Sequence, residues 1–167
     1  MVGREIGVVH RWITIAAAVL IQACIGSVYA WSVFVLPLQE RYGLGKGASQ
    51  MVFGGLVAVL SLMMIPAGRL QARYGSRAVA LVGGVLYSLG YLAAASSGGR
   101  FWWLLLGIAV IAGTGVSLTY LSTLTACQQA LPERKGLATG LAMGGYAAGA
   151  ILVASLARPW LERGTDP

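Results

Sequence analysis

Between Gly68 and Arg77 the chain places three arginines and no acid, with an apolar run on either side, the first ending near Ala67 and the second starting near Ala78. Two helices joined by so short a connection must be antiparallel neighbours. If both cross a membrane, the arginine cluster marks their connection as cytoplasmic, because positively charged loops are retained on that side. Gly68 and Gly75 near its ends permit close helix approach and a turn that residues with a Cβ resist.

Apolar residues make up 57% of the chain and charged residues 10%. A soluble domain carries about a quarter charged residues, so this chain cannot present an ordinary water-facing surface. The 24 glycines are costly inside soluble helices but useful where membrane helices pack closely. A net charge of +7 raises the question of nucleic acid, but the basic residues cap apolar runs and form no continuous stripe, so no nucleic-acid partner is expected. Cys24 and Cys127 should lie at different depths, as free buried thiols that fill space.

Five apolar segments set the expected fold, an all-α membrane bundle. They run over about 12–35, 50–67, 78–96, 101–126 and 136–157, each close to the ~20 residues that cross a hydrocarbon core. None holds an ionisable Asp, Glu, Lys, Arg or His in its interior, and the connections carry turn signals. The first segment is too long for a signal-peptide core, so it is expected to be retained. With the N-terminus inside, the cytoplasmic side holds Arg4, Arg11, Arg69, Arg73, Arg77, Arg134 and Lys135, against Arg41, Lys46, Arg100, Arg158 and Arg163 outside. That bias predicts a multi-pass protein of the plasma (bacterial inner) membrane with a cytoplasmic N-terminus. Trp102 and Trp103, at a helix start, are expected as interface anchors.

The frame Gly68, Arg73, Gly75, Arg77 resembles the loop between the second and third helices of major facilitator superfamily transporters, with Ala72 where that pattern has Asp. Gly26 to Phe34 resembles the first helix of the oxalate:formate antiporter branch. Gly113 to Tyr120 is similar to that branch's fourth helix, and Pro132 to Ala142 to its fourth-to-fifth loop and the start of its fifth helix. Monocarboxylate transporters share a related form of the last stretch. The resemblance implies a secondary transporter of small carboxylates such as oxalate, formate or lactate. It implies twelve helices in two halves, with substrate bound between the halves near mid-membrane and the carboxylate-holding cations in the C-terminal half. The chain is therefore expected to be an N-terminal part, inactive alone, with Arg158 to Pro167 standing where a sixth helix should follow.

Candidate site residues are hydroxyl and amide groups on apolar walls, which can meet an anion without a buried charge. Gln22 and Tyr29 are two turns apart and share a face with Gly26. Gly113, Ser117 and Tyr120 form a similar stripe on the fourth helix, and Thr139, Met143 and Tyr146 on the fifth, beside the ladder Gly140, Gly144, Gly145, Gly149. By resemblance Tyr29, Tyr120 and Tyr146 match cavity-lining positions. Tyrosine also anchors at interfaces and fills helix contacts, glycine ladders commonly mean packing, and Trp31 is expected to pack or face lipid. The hairpin residues Gly68, Arg73, Gly75 and Arg77 would be a conformational loop by resemblance. With Ala72 lacking the acid, topology signalling and lipid phosphate contact are the competing role. A small complete membrane protein, acting as a homo-oligomeric exporter or assembly partner, is the alternative. Enzymatic function is not expected: His10 is the single histidine, no acid lies within a span, and no nucleophile–base pair, metal-ligand spacing or cofactor motif is present.

Overall fold

The computed structural model describes residues 8–163; Arg4 and the terminal residues 164–167 lie outside the described residues. The described chain is helical throughout, with no strand. Helix α1 (Val8–Gly26) passes through one 3-10 turn (Ser27–Ala30) into α2 (Trp31–Tyr42). Then follow α3 (Lys46–Tyr74), α4 (Ser76–Ala95), α5 (Phe101–Leu104), a π-helical segment (Leu105–Ala112), α6 (Gly113–Ala130) and α7 (Lys135–Arg163), the last entered through a 3-10 turn at Pro132–Arg134. Five stretches are long and apolar enough to cross a membrane: His10–Val33, Lys46–Tyr74, Ser76–Ala95, Phe101–Ala130 and Pro132–Ala157. Cations fall only near their ends.

The connections are tighter than the turn signals suggest. Helix α3 continues through Arg69 and Arg73, so the basic hairpin is mostly helix, and the reversal is made at Gly75 alone (φ +83°, ψ 157°). That positive φ is open to glycine at little cost. The Gln71 amide donates to Ser76 Oγ at 2.9 Å and ties the two helix ends together. The first connection likewise shrinks to Gly43–Gly45, with Gly43 left-handed after α2. Helix α7 runs on through Arg158 to Arg163, so the polar tail begins as helix.

Glycine seams set the packing. A Cβ on Gly145 would meet the carbonyl of Val19, and one on Gly149 the carbonyl of Ala23. Both partners advance by four residues, so α1 and α7 are parallel and almost backbone to backbone. On α4, Gly83 abuts Gly115 and Thr119, while Gly90 abuts Gly107 and Ala112. Here one number rises as the other falls, so the third and fourth spans are antiparallel. Without a hydrophobic force between helices in lipid, such close approach gains dispersion contact. The expected ladder on α7 therefore divides: Gly145 and Gly149 form the seam, whereas Gly140 and Gly144 have nothing within 4 Å.

The fourth span is the hub. It is 61% buried over its apolar window, against 17–39% for the others, and it touches all four. Its π segment gives an eight-residue run of wider turns, with Gly107 and Ala109 set against Gly90 and Gly55. Cys127 is buried as expected, but Cys24 is exposed. Cys24 stays open because α1 turns its Val19 and Ala23 side toward α7 and its Gln22 side toward α6. Trp31 packs inside and donates its indole N–H to the Ser49 carbonyl at 3.1 Å. Trp102 and Trp103 are exposed at the start of the fourth span.

Candidate functional site

The three tyrosines singled out from the sequence meet. Tyr146 of α7 stands between Tyr29 of the first span, ring centroids 5.6 Å apart at 81°, and Tyr120 of α6, 5.5 Å apart at 72°. Both contacts are edge to face, the geometry that sets a ring's positive edge against its neighbour's negative face. Phe53 of α3, which the sequence did not mark as a candidate, packs against Tyr29 at 5.9 Å. Four spans thus converge on one aromatic cluster. Tyr29 is 54% exposed within this bundle, and Tyr120 and Tyr146 are half-buried. Their hydroxyls have no hydrogen-bond partner among the described residues.

The first span reaches the cluster through its 3-10 turn. With three residues per turn instead of 3.6, the three steps from Gly26 to Tyr29 rotate the chain by about 60° more than an α-helix would. Tyr29 consequently lies in line with Gly26 and about 40° around the axis from Gln22, still on the face the three were expected to share. Gln22 is fully buried, donates its amide to the Tyr120 carbonyl at 3.4 Å, and its Oε1 has no hydrogen-bond partner among the described residues. It thus bears on the backbone of one of the three tyrosines. Gly26 lies against the backbone of Tyr146, where a Cβ would strike the carbonyl; this contact brings the rings of Tyr29 and Tyr146 together.

The other stripe members separate. Gly113 packs against Leu56 and Val59 of α3. Ser117 is fully buried, and its hydroxyl has no hydrogen-bond partner among the described residues. Thr139 accepts from the Gln128 amide at 3.0 Å, and Met143 is exposed. In the hairpin, Arg73 lies over the ring of its neighbour Tyr74, 5.3 Å from the centroid, and Arg77 is exposed in the first turn of α4. Gly68 has room for a Cβ, with Leu121 at 3.7 Å. A separate groove of about 870 Å3 runs between α1 and α4 with Arg77 among its lining residues; none of the three tyrosines lines it. No group of three or more metal-ligating side chains occurs among the described residues.

Five helices long and apolar enough to cross a membrane, packed along glycine seams, define the architecture of a polytopic membrane protein. The chain belongs to the Major Facilitator Superfamily, whose family profile matches residues 12–161. It is 35% identical over 142 residues to the uncharacterized MFS-type transporter YhjX of Escherichia coli (strain K12), covering 84% of this chain and 35% of that protein. It is 28% identical over 153 residues to monocarboxylate transporter 9 of Pongo abelii, covering 90% of this chain and 30% of that protein. It is 24% identical over 153 residues to the oxalate:formate antiporter of Oxalobacter formigenes, covering 85% of this chain and 34% of that protein. The chain thus spans about a third of the length of these relatives.

Proposed function

We propose that the chain forms the N-terminal part of a secondary transporter of small carboxylates, of the oxalate, formate or lactate kind. Its role is the hydroxyl-bearing wall of the substrate cavity, with no chemical step. The convergence of Tyr29, Tyr120 and Tyr146 from three spans on one cluster carries this reading. The names of two relatives, an oxalate:formate antiporter and a monocarboxylate transporter, support the substrate class. A carboxylate in a span needs donors and a counter-charge. Tyrosine supplies the donors; the cation is assigned to the C-terminal half of the transporter, which is the partner this chain requires. Gln22 holds the Tyr120 carbonyl.

Replacing Tyr29 by Phe removes one hydroxyl and keeps the ring on Phe53 and Tyr146. With the C-terminal half supplied, substrate affinity is expected to fall by about 1.5–3 kcal/mol, the range for hydrogen bonds to charged groups, or roughly tenfold or more. Equilibrium binding of oxalate, formate or lactate checks this. Unchanged affinity in Tyr29→Phe, with damage only in Tyr29→Ala, would reduce the residue to packing.

The same proposal places the chain in the plasma membrane with its N-terminus and the Gly68, Arg73, Gly75, Arg77 hairpin inside. The arginines there act as topology signals and lipid phosphate contacts, since exposed Ala72 offers no acid for a latch. Single cysteines at the exposed positions Ala72 and Ser96, in a background freed of Cys24 and Cys127, test the orientation. Impermeant thiol reagent added outside intact cells is expected to label position 96 and spare 72; the opposite pattern reverses the topology.

A further inference from the structure

Tyr29 owes its position to a turn that deviates from the rest of its span, and a side chain of another span sits on that turn. The Tyr87 hydroxyl of α4 lies 2.7 Å from Ser27 Oγ, at the first residue of the 3-10 turn. Ser27 already donates its one hydroxyl proton to the Cys24 carbonyl at 2.7 Å. A serine hydroxyl has no second proton, so Tyr87 is the donor and Ser27 the acceptor. The bond therefore has a direction, and removing either hydroxyl breaks it.

Tyr87 is itself well anchored. Its backbone nitrogen lies where a Cβ on Gly115 would fall, so α4 is pressed onto α6 at this residue. Its ring packs edge to face on Tyr91, centroids 4.9 Å apart. On the other side of the turn, Gly26 rests on the Tyr146 backbone. The turn is thus held between α7, through Gly26, and α4, through Ser27. Two residues further on stands Tyr29, whose aim differs by about 60° between a 3-10 turn and an α-turn.

We propose that Tyr87 is a positioning residue: by donating to Ser27 it holds the 3-10 turn of the first span and so sets the direction of Tyr29. The inference deepens the cavity role proposed for Tyr29 and rests on it only for its consequence in transport. Backbone hydrogen exchange on the full chain in lipid–detergent micelles reads the turn directly, without substrate. Tyr87→Phe, which keeps the ring on Tyr91, is expected to raise exchange of the Val28 to Trp31 amides about tenfold and leave α3 and α6 unchanged. Ser27→Ala should do the same, and the double variant should exchange no faster than either single one. No change in Tyr87→Phe, additive effects in the double variant, or a rise spread over all five spans would overturn the proposal. The outcome separates cleanly from the substrate question. A loosened turn in Tyr87→Phe beside unaltered affinity in Tyr29→Phe would keep the positioning role and remove the cavity role, and the opposite pair of results would do the reverse.

Discussion

Gly149→Ile is expected to drive the first and fifth spans apart, whereas Gly144→Ile, five residues away on the same helix, is expected to be tolerated. At Gly149 the added atoms meet the carbonyl of Ala23, and at Gly144 they meet nothing within 4 Å. Backbone cannot rotate aside as a side chain can, so the cost should reach the roughly 3 kcal/mol upper end of ordinary overpacking or exceed it. At Gly144 the change should lie within about 1 kcal/mol and favour the variant, because glycine inside a helix is costly. Denaturant titration of the two variants in mixed micelles measures the difference. Equal stabilities would mean that the seam is not the contact holding α1 to α7. The stake extends beyond stability. Val19, Ala23 and Gly26 all face α7, and Gly26 is where the rings of Tyr29 and Tyr146 are brought into contact, so a bundle parted here also loses the cluster.

Much of this architecture was readable from the residues, for a physical reason. A hydrocarbon core of fixed thickness imposes a length and forbids unpaired charge, so five apolar runs bounded by Arg, Lys, Gly and Pro announce five spans. Tyr29, Tyr120 and Tyr146 stood out by resemblance to cavity-lining positions, and because a hydroxyl on an apolar wall can meet an anion without a buried charge. The sequence did not show how each helix turns. Leu105–Ala112 and Ser27–Ala30 have no composition that separates a π or 3-10 turn from an α-turn; their geometry comes from neighbours, Gly90 and Gly55 in one case and Tyr87 and Tyr146 in the other. Helix α7 has no pronounced amphipathic face that would distinguish Gly145 from Gly144, and only the presence of α1 does. Gln22 was expected to share a face with Tyr29; the 3-10 turn shifts the angle between them by about 60° yet leaves them about 40° apart. What the wheel could not show is that Gln22 is fully buried and reaches the Tyr120 carbonyl. Cys24 was expected buried, and lies on the side of α1 that neither α6 nor α7 covers.

The second large effect concerns transport itself. The tyrosine cluster offers hydroxyls but no cation, and each membrane-crossing stretch keeps its charged residues near its ends. Bringing a carboxylate to mid-membrane without a counter-charge costs several kcal/mol at least; about 4 kcal/mol is already nearly a thousandfold in affinity. Hydroxyl donors at 1.5–3 kcal/mol each could offset that cost only if several engaged one substrate fully, and Tyr120 and Tyr146 are half-buried in the cluster. Supplying the C-terminal half should therefore change uptake from absent to saturable, a larger effect than any single substitution on this chain. Uptake of radiolabelled oxalate, formate and lactate into vesicles reconstituted with the purified chain alone is the decisive measurement. The expected result is a time course that matches protein-free vesicles for all three. Saturable uptake by the chain alone would contradict the division of the site between two halves and point to a self-sufficient homo-oligomer.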